Sequence, residues 1–348
     1  MAIAVRPNAR SLAVAQGKGL TPGQARISAV MEAIDAWHAE DIFPRFHRAA
    51  YSALAAAHRV ADPALLARTA RPFEPNVPID WIEATDLLAG GACWVPAECV
   101  HTDYRLPRPP GSGFFCATTN GLAGGNHLLE ALVAGIAEVI ERDAFSLFAA
   151  SPAGERARRR LDPDSIDDPA CRALIDRCTG AGMAVRLWNA SSDIGVAAFL
   201  CELADAADPA VRAFAGMGCH PARPAALVRA ITEAAQARLT VIAGMRDDLE
   251  ATLYDADPLA GFMAALAPPG RADFRDAPDF TSDDLGADLD FLLARLRSAG
   301  IGCVAAIDLT RPEFAIPVAK IVIPGLEGRW RHPDYTPGPR ARALLARA

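Results

Sequence analysis

Five polar side chains recur at helical spacing where the sequence reads NGLAGGNHLLEALVAGIAEVIERDAFSLF, over residues 120–148. They are Asn126, Glu130, Glu138, Glu141 and Arg142. At about 100° per residue, all five fall within roughly half of a helix circumference. Like charges on one helix face repel each other, so a cation is expected to offset the clustered carboxylates. Oxygen ligands suit Mg²⁺, which often also holds substrate phosphates. The stretch therefore predicts a magnesium–phosphate site, and a solvated acidic helix face is the alternative.

Two other predicted helices carry polar side chains on a single face. The first is predicted from Gly23 to about His47 and the second from Ala225 to about Ala243. The first face holds Ser28, Glu32 and Asp35, and the second holds Arg229, Glu233 and Gln236, followed by Arg238. Residues three and four apart are neighbours on a helix surface. The alternative interpretation is an acidic surface pair on the first helix and an Arg–Glu surface pair, worth less than about 1 kcal/mol, on the second.

Local signals predict where these helices begin. Glycines at 121, 124 and 125 form a turn before the central helix, whose apolar residues then recur at helical spacing. Thr21 is a suitable N-cap for the first helix, with Pro22 at its first position. We therefore expect that the polar residues described above lie on helices.

The remaining segments predict a mixture of strands and helices. Residues 1–16 are interpreted as one or two strands, 48–70 as helical, 71–119 as strands and loops, 151–183 as one or two helices, and 184–203 as two strands across a turn. Residues 247–285 are interpreted as helix pieces and loops, 287–298 as a helix, GCVAAIDLT and IPVAKIVIPG as strands, and the C-terminus as irregular and then helical. The pattern favours an α/β (α+β) fold, and residues 1–348 are expected to form a single domain.

Composition excludes several classes of protein. The chain has 348 residues, 51% of them hydrophobic, which is enough for a sizeable core. The net charge of −7 argues against a nucleic-acid-binding face. No apolar run has the length of a membrane span, and no signal-peptide pattern is present. The eight cysteines form no C-x-x-C pair and are interpreted as reduced thiols, so a cytoplasmic location is expected.

Three long motifs carry a resemblance to a known family. They are GKGLTPGQARISAVMEAID, NGLAGGNHLLEALVAGIAEVIERDA and GMGCHPARPAALVRAITEAAQARLTVIAGMRDD. In this order they resemble the YcaO superfamily, from about Arg6 to Glu327. The resemblance implies an ATP-dependent enzyme that activates backbone amides, with helices packed on mixed β-sheets around a central nucleotide site.

The resemblance also implies ATP and Mg²⁺ as cofactors and assigns residues to them. It places the nucleotide at Ser28, Asn126, Glu130, Arg142, Arg229 and Glu233. It places metal ions at Glu32, Asp35, Glu130, Glu138, Glu141 and Glu233. Phosphoryl transfer depends on positioning and charge neutralisation, which makes Glu138, Glu141 and Arg142 the expected catalytic groups.

Two departures from the family pattern bear on the nucleotide site. The family usually has Glu where this chain has Asp35, and the shorter side chain is expected to ligate through water. Family members also carry several dozen residues before the strand IAVRPNARSLAV, and that part usually contributes a basic residue. Relative to the family the chain is therefore N-terminally short, and Arg6, Arg10 or Lys18 is expected to substitute, with Lys18 the candidate for the nucleotide. The alternatives are an impaired site and a wrongly recorded start.

The resemblance narrows the reaction to three branches that differ in the nucleophile adding to the amide. A side chain gives an azoline, external sulfur a thioamide and a backbone amine an amidine. The ending YTPGPRARALLARA lacks the proline-rich terminus of azoline-forming members, whereas RPNARSLAVAQGKG and VIPGLEG are similar to the group encoded beside TfuA, which is thought to deliver sulfur. Thioamidation of a peptide or protein with a TfuA-like partner is therefore expected. The alternatives are an azoline-forming cyclodehydratase and a non-catalytic nucleotide- or peptide-binding scaffold. Family members are often homodimers, which makes a homodimer a candidate assembly.

Overall fold

Two β-sheets, a β-hairpin and several helices make up the computed structural model, which describes residues 1–42, 46–108, 111–207, 212–246, 248, 270–328 and 336–346. The first half of the chain contains β1 (Ala2–Val5), β2 (Val14–Gly17), α1 (Pro22–Glu40), β3 (His47–Ala49), α2 (Tyr51–Leu54), β4 (Ile79–Asp86), β5 (Ala92–Pro96), β6 (Leu122–Gly124) and α3 (Leu128–Ala150). The second half contains α4 (Ala153–Arg158), α5 (Pro169–Gly180), β7 (Met183–Asn189), β8 (Ala197–Asp205), β9 (Phe214–His220), α6 (Arg223–Ala243), α7 (Leu285–Ser298), β10 (Ala305–Asp308), β11 (Val318–Val322) and α8 (Pro339–Leu345).

The strands are antiparallel throughout the described part. The larger sheet has the order β3-β4-β10-β11-β6, with β5 paired to β4, and a smaller sheet has the order β7-β8-β9. The central helix α3 contacts β6 and β11 of the larger sheet and β9 of the smaller one. Its apolar residues join those of β10, β11 and α7 in one buried core, while α6 covers the smaller sheet and forms another. The fold is mixed α+β, as the sequence predicts.

Helix α6 lies very close to β9 because two glycines in the strand leave room for it. A Cβ atom at Gly216 would lie 2.1 Å from the backbone N of Ala234, and one at Gly218 would lie 2.1 Å from the carbonyl O of Ala226. Both contacts are shorter than any side chain allows. Glycine in this strand therefore sets the distance between α6 and the sheet.

Helix α8 is tied to α3 by a buried ion pair. The Asp143 carboxylate is fully buried, and the Arg340 guanidinium binds it through Nε at 2.9 Å and Nη2 at 3.1 Å. The backbone N of Glu327 donates to the same carboxylate at 2.9 Å. The Glu327 carboxylate in turn accepts from the backbone N of Gly338 and Ala341. These contacts place the segment around α8 directly behind the central helix.

Most predicted elements agree with the structure, including the start of α1. Thr21 and Gln24 form a capping box, and Pro22 occupies the first turn. The strand pairs at residues 1–16 and 184–203, the helices within 151–183, and those near 225–243 and 287–298 are confirmed. Residues 247 and 249–269, within the segment interpreted as helix pieces and loops, lie outside the described residues.

Two predictions about residues 23–70 are wrong. The first helix ends at Glu40 rather than His47, and residues 47–49 form a strand. The segment 48–70 is mostly irregular, with only a short helix at 51–54 and a 3₁₀ turn. Strand β3 pairs with β4, and the indole of Trp81 donates to the carbonyl of Ala49 at 3.0 Å. Tertiary pairing thus overrides the helix preference of an alanine-rich stretch.

Two short strands were not predicted. Leu122–Gly124 forms β6 inside the glycine-rich turn, and the segment AGMGCH lies in β9.

No helix in the described part of the chain is both long and apolar enough to cross a lipid bilayer.

Candidate functional site

Helices α1, α3 and α6 direct their polar faces toward a group of adjoining cavities. A cavity of about 710 Å³ is lined by Glu32 and Asp35 of α1 and by Glu138 and Arg142 of α3. A second, of about 570 Å³, is lined by Lys18, Ser28, Glu138, Glu141, Arg142, Arg229 and Glu233. A third, of about 490 Å³, is lined by Lys18, Ser28, Glu32, Arg142, Glu233 and Gln236. Arg142 borders all three, so the three predicted helix faces meet around one guanidinium.

One ion pair of the site spans a long sequence distance, and two others lie within α3. Lys18 Nζ lies 2.5 Å from Glu233 Oε2, which joins the segment after β2 to α6. Arg142 lies 3.5 Å from Glu138 and 3.4 Å from Glu141 on its own helix. All five side chains are partly or largely buried. Two cationic side chains and three carboxylates therefore lie together where water has little access.

The end of β2 and the residue that follows this strand reach the site through their backbone. The backbone N of Gln16 donates to Glu32 Oε2 at 3.3 Å, and the backbone N of Lys18 donates to Ser28 Oγ at 3.2 Å. The side chains of Gln236 and Thr240 on α6 donate to the carbonyl and side-chain oxygens of Gln16. These contacts fix α1 and α6 relative to each other.

The carboxylates of α1 hold their protons unusually tightly. Burial raises the pKa of Asp35 to about 7, and the negative charges of Glu32 and Glu138 add to this increase. Burial also raises the pKa of Glu32, although the backbone N–H of Gln16 and the cations Arg246 and Lys18 oppose it. A cation placed among these groups would relieve their mutual repulsion.

The carboxylates of α3 and α6 differ in how far nearby cations neutralise them. Burial and the nearby Glu233 raise the pKa of Glu141, and Arg142 only partly offsets them. Burial would also raise the pKa of Glu233, but Lys18 and Arg142 outweigh it and lower this pKa. Glu233 is therefore the better neutralised carboxylate, and the less compensated charge lies on α1 and α3.

The residues present fit a magnesium–nucleotide group. Asp35 Oδ1 is buried without a hydrogen-bond partner, although the backbone N–H of Gly124 lies near enough to lower the pKa of this carboxyl. No three His, Cys, Asp or Glu side chains among the described residues meet closely enough to hold a metal ion alone. Mg²⁺ commonly binds through one or two carboxylates, with phosphate and water completing its shell. Glu32, Asp35, Glu138, Glu141 and Glu233 can supply such carboxylates.

Two predicted residues lie apart from this group. The side-chain and backbone N–H groups of Asn126 donate to Glu130 Oε2 at 3.1 and 2.8 Å, so the two residues bind each other at the start of α3. Neither borders the three cavities. Glu130 lies about 12 Å from Glu138 along the helix axis, at 1.5 Å per residue. Their assignment to nucleotide and metal stays a prediction.

Among the three basic residues considered as substitutes, Lys18 reaches the site most directly. Arg6 borders the 710 Å³ cavity, but its guanidinium is bound to Glu40 at 2.5 and 2.6 Å. Arg10 lies 3.4 Å from Asp41, away from the carboxylates of α3 and α6. Arg238, which follows the polar face predicted on α6, borders a separate cavity of about 300 Å³ that Lys18 also lines.

Sequence reasoning missed Lys320, a fully buried lysine on β11. Its Nζ donates to the carbonyl O of Thr118, and burial lowers its pKa to about 8, while the Glu138 carboxylate opposes the shift. The only signal in the sequence is a single lysine within the apolar run IPVAKIVIPG. Gly124 was noted only as a turn residue, yet a Cβ atom there would lie 2.2 Å from Asp35 Oδ1.

Comparisons with known proteins agree on one family. A family model described as YcaO cyclodehydratase, ATP- and Mg²⁺-binding, matches residues 16–327. A protein of Rhizobium leguminosarum bv. trifolii, described only as uncharacterized and in the tfuA 3′ region, is 35% identical over 94% of this chain and 80% of its own length.

Solved structures show the same fold. A YcaO protein of Methanopyrus kandleri, bound with AMPPCP and Mg²⁺, matches with a TM-score of 0.71 and 25% identity over 89% of this chain and 78% of that one. A heterocyclase in complex with substrate and cofactor matches with a TM-score of 0.77 and 23% identity over 91% of this chain. The present chain spans 45% of the length of that heterocyclase.

Proposed function

The chain belongs to the YcaO family of ATP- and Mg²⁺-binding proteins, and we propose that it converts a peptide backbone amide into a thioamide with a TfuA-like partner. The observation that carries the choice of a thioamide is the Rhizobium relative, whose description places it beside tfuA. That relative matches 94% of this chain, so the likeness is not restricted to a shared nucleotide-binding segment.

Oxygen is a poor leaving group from an amide, and bound Mg²⁺–ATP supplies the phosphoryl group that makes it a good one. The chain's own contribution is to position the reactants and to match their charge. Glu32, Asp35 and Glu138 would bind Mg²⁺, because all three carboxylates border the 710 Å³ cavity. Lys18 and Arg142 would face the phosphates, because both border the two smaller cavities.

The side chains around Arg142 support a role in the phosphoryl step. Its guanidinium contacts Glu138 and Glu141 and borders all three cavities, so it can lie between nucleotide and amide. A planar guanidinium binds phosphate oxygens in pairs, which suits it to hold charge that develops during transfer. The 710 Å³ cavity is also lined by Ser11, Tyr104 and Phe115, and we propose that a peptide segment of the substrate lies against these residues.

The test is the mass of the substrate after reaction. The purified protein is incubated with a TfuA-like protein, ATP, Mg²⁺, sulfide and a precursor peptide or protein from the same organism. Exchange of oxygen for sulfur raises the substrate mass by about 16 Da, and omission of ATP should abolish the change because the amide oxygen then has no route to leave. An unchanged substrate mass in the complete mixture would contradict the proposal.

Azoline formation is the second candidate, and the family description as a cyclodehydratase favours it. In that reaction a Cys, Ser or Thr side chain of the substrate attacks the preceding amide. The product then loses water, so its mass falls by about 18 Da, and neither sulfide nor the TfuA-like protein is needed. The same experiment therefore separates the two reactions.

A further inference from the structure

One wall of the 710 Å³ cavity is an irregular segment held by two buried charged side chains. Residues 113–119, which we call the wall segment, form no helix and only one isolated bridge, between Phe115 and Arg68. Four residues of the wall segment line the cavity, namely Phe115, Cys116, Ala117 and Thr119. None of its residues borders the two smaller cavities. Its backbone N–H and C=O groups must therefore find their partners outside a helix or a sheet.

The Glu98 carboxylate holds the beginning of the wall segment. Its two oxygens accept from three consecutive backbone N–H groups, those of Gly113, Phe114 and Phe115, the last two at 3.1 and 3.2 Å. Glu98 is buried within the 3₁₀ turn Ala97–Cys99, directly after β5. Hydrogen bonds to a carboxylate are stronger than those between neutral groups, so these three contacts fix the segment where it enters the cavity.

The Lys320 ammonium holds the end of the wall segment. Along β11, Ala319 and Ile321 pack in the core around α3, whereas Val318 packs in a second core. Successive residues of a strand face opposite sides, so Lys320 shares the side of Val318. Among the residues that the structure describes, the carbonyl O of Thr118 is the only hydrogen-bond acceptor of this ammonium. The lysine therefore ties β11 to the wall segment through the backbone.

Lysine is a costly residue at this position. Lys320 is fully buried, and its neighbours in the strand are apolar. Burial lowers the pKa of Lys320 to about 8, so the charged form still predominates at pH 7, and the Glu138 carboxylate favours it. An apolar residue would avoid the desolvation of an ammonium group. The contact that lysine makes and an apolar side chain could not make is the one to the wall segment.

We propose that Glu98 and Lys320 are positioning residues, which hold the wall segment in the place where the substrate peptide lies against it. The inference rests on the proposed function, which places the peptide in this cavity. Ala117 lines the cavity, and neither its N–H nor its C=O has a hydrogen-bond partner among the described residues. An extended peptide backbone can pair with such groups. Displacement of the wall segment should therefore weaken binding of the peptide and leave the two smaller cavities intact.

Hydrogen–deuterium exchange of the full-length protein tests the positioning without any reaction. The peptide that covers residues 113–122 should exchange on the order of tenfold faster in Lys320→Met and in Glu98→Gln, because its backbone loses a partner in each variant. Peptides from α6 should exchange as in the parent. Glu83→Gln, which changes an exposed carboxylate of β4, is the matched control and should leave exchange of the wall segment unchanged. Unchanged exchange of the wall segment in Lys320→Met and Glu98→Gln would overturn the proposal.

Steady-state kinetics separate substrate positioning from a general loss of structure. In the reaction mixture described above, both variants should raise the KM for the precursor on the order of tenfold, because small displacements of a binding surface are costly, and leave the KM for ATP unchanged. An equal rise in both KM values, or no rise in that for the precursor, would overturn the proposal. Glu98→Gln keeps the test valid if Lys320→Met fails to fold. A parent protein that leaves the precursor mass unchanged contradicts the proposed function instead, and the exchange measurement then decides the positioning alone.

Discussion

Glu138 borders two of the three cavities, and its carboxylate pairs with Arg142 at 3.5 Å. We expect Glu138→Gln to lower ATP hydrolysis on the order of 10²-fold, because the amide keeps the shape of the side chain but removes the negative charge that would bind the metal ion. The measurement is steady-state phosphate release with Mg²⁺ and ATP. No ATP hydrolysis in either protein would instead favour a non-catalytic scaffold.

The control for this variant is Glu155→Gln on α4. Glu155 is exposed and borders none of the three cavities, so the same chemical change should leave phosphate release unchanged. Equal loss in both variants would mean that Glu138 has no special part in the reaction.

Asp35 gives a prediction about pH. Its pKa is raised from 3.8 to about 7 in the folded protein, so the folded state keeps this proton where the unfolded state has lost it. The ligand-free protein should therefore lose stability as the pH rises through this interval. Asp35→Asn removes the titration, and its melting temperature should fall less between pH 5 and pH 8 than that of the parent. Parallel curves for the two proteins would contradict the assignment.

Site residues could be predicted from the sequence where they share one face of a helix. They could not be predicted where the residue that each contacts lies far away in the sequence. Periodicity alone grouped Ser28, Glu32 and Asp35, and all of them border the cavities. Lys18 has its partner Glu233 215 residues away, and no local pattern encodes that distance. Lys320 stands out only as a lysine within an apolar run, and its partner is a backbone carbonyl, which any residue type could provide.

Among the secondary-structure elements, α6 packs closely on β9 at Gly218. A Cβ atom at Gly218 would lie 2.1 Å from the carbonyl O of Ala226 and 2.5 Å from the backbone N of Ala230. Both neighbours are helix backbone, so Gly218→Ala must displace α6 at a cost of about 1–3 kcal/mol or more. Urea denaturation measures this loss, and nucleotide affinity should fall with it because α6 carries Glu233.

Gly180→Ala is the matched control for this substitution. A Cβ atom at Gly180, the last residue of α5, meets nothing within 4 Å. Alanine there should be neutral or slightly stabilising, since it reduces the freedom of the unfolded chain. If both alanine variants have the same stability, the close approach of α6 to β9 does not depend on glycine.

Elements were predictable where their signals are local. Thr21, Pro22 and Gln24 mark the start of α1, and the structure has the capping box at that position. The predicted end of α1 was wrong because Pro44, which cannot continue a helix, was not used to end it before His47. The strand at 47–49 pairs with β4. Strand β6 was missed because three residues between glycines give no alternating pattern, and β11 provides its partner.

At the scale of the whole molecule, α8 and α3 depend on the pair between Arg340 and Asp143. Asp143 is fully buried, so Arg340→Gln would leave a carboxylate without its cation in the core. Loss of one partner of a buried pair typically costs about 3–5 kcal/mol. Chemical denaturation at pH 8 should show this loss. It should be smaller at pH 5, because burial raises the pKa of Asp143 to about 6 and the protonated form is neutral.

The control is Arg342→Gln on the same helix. Arg342 is exposed, and its guanidinium donates to the carbonyl O of Pro337 at 2.8 Å. The change in net charge is the same, so stability should change by well under about 1 kcal/mol. If Arg340→Gln behaves like this control, Asp143 does not need its cation.

The contacts between Gln16 and α6 have a consequence for the order in which the protein folds. They join residues 220 and 224 positions apart, so the intervening chain must be largely arranged before they form. The ability to bind nucleotide should therefore arise last during refolding, after helical content and core burial have recovered. A fluorescent ATP analogue added during refolding would report a phase slower than the recovery of far-ultraviolet circular dichroism.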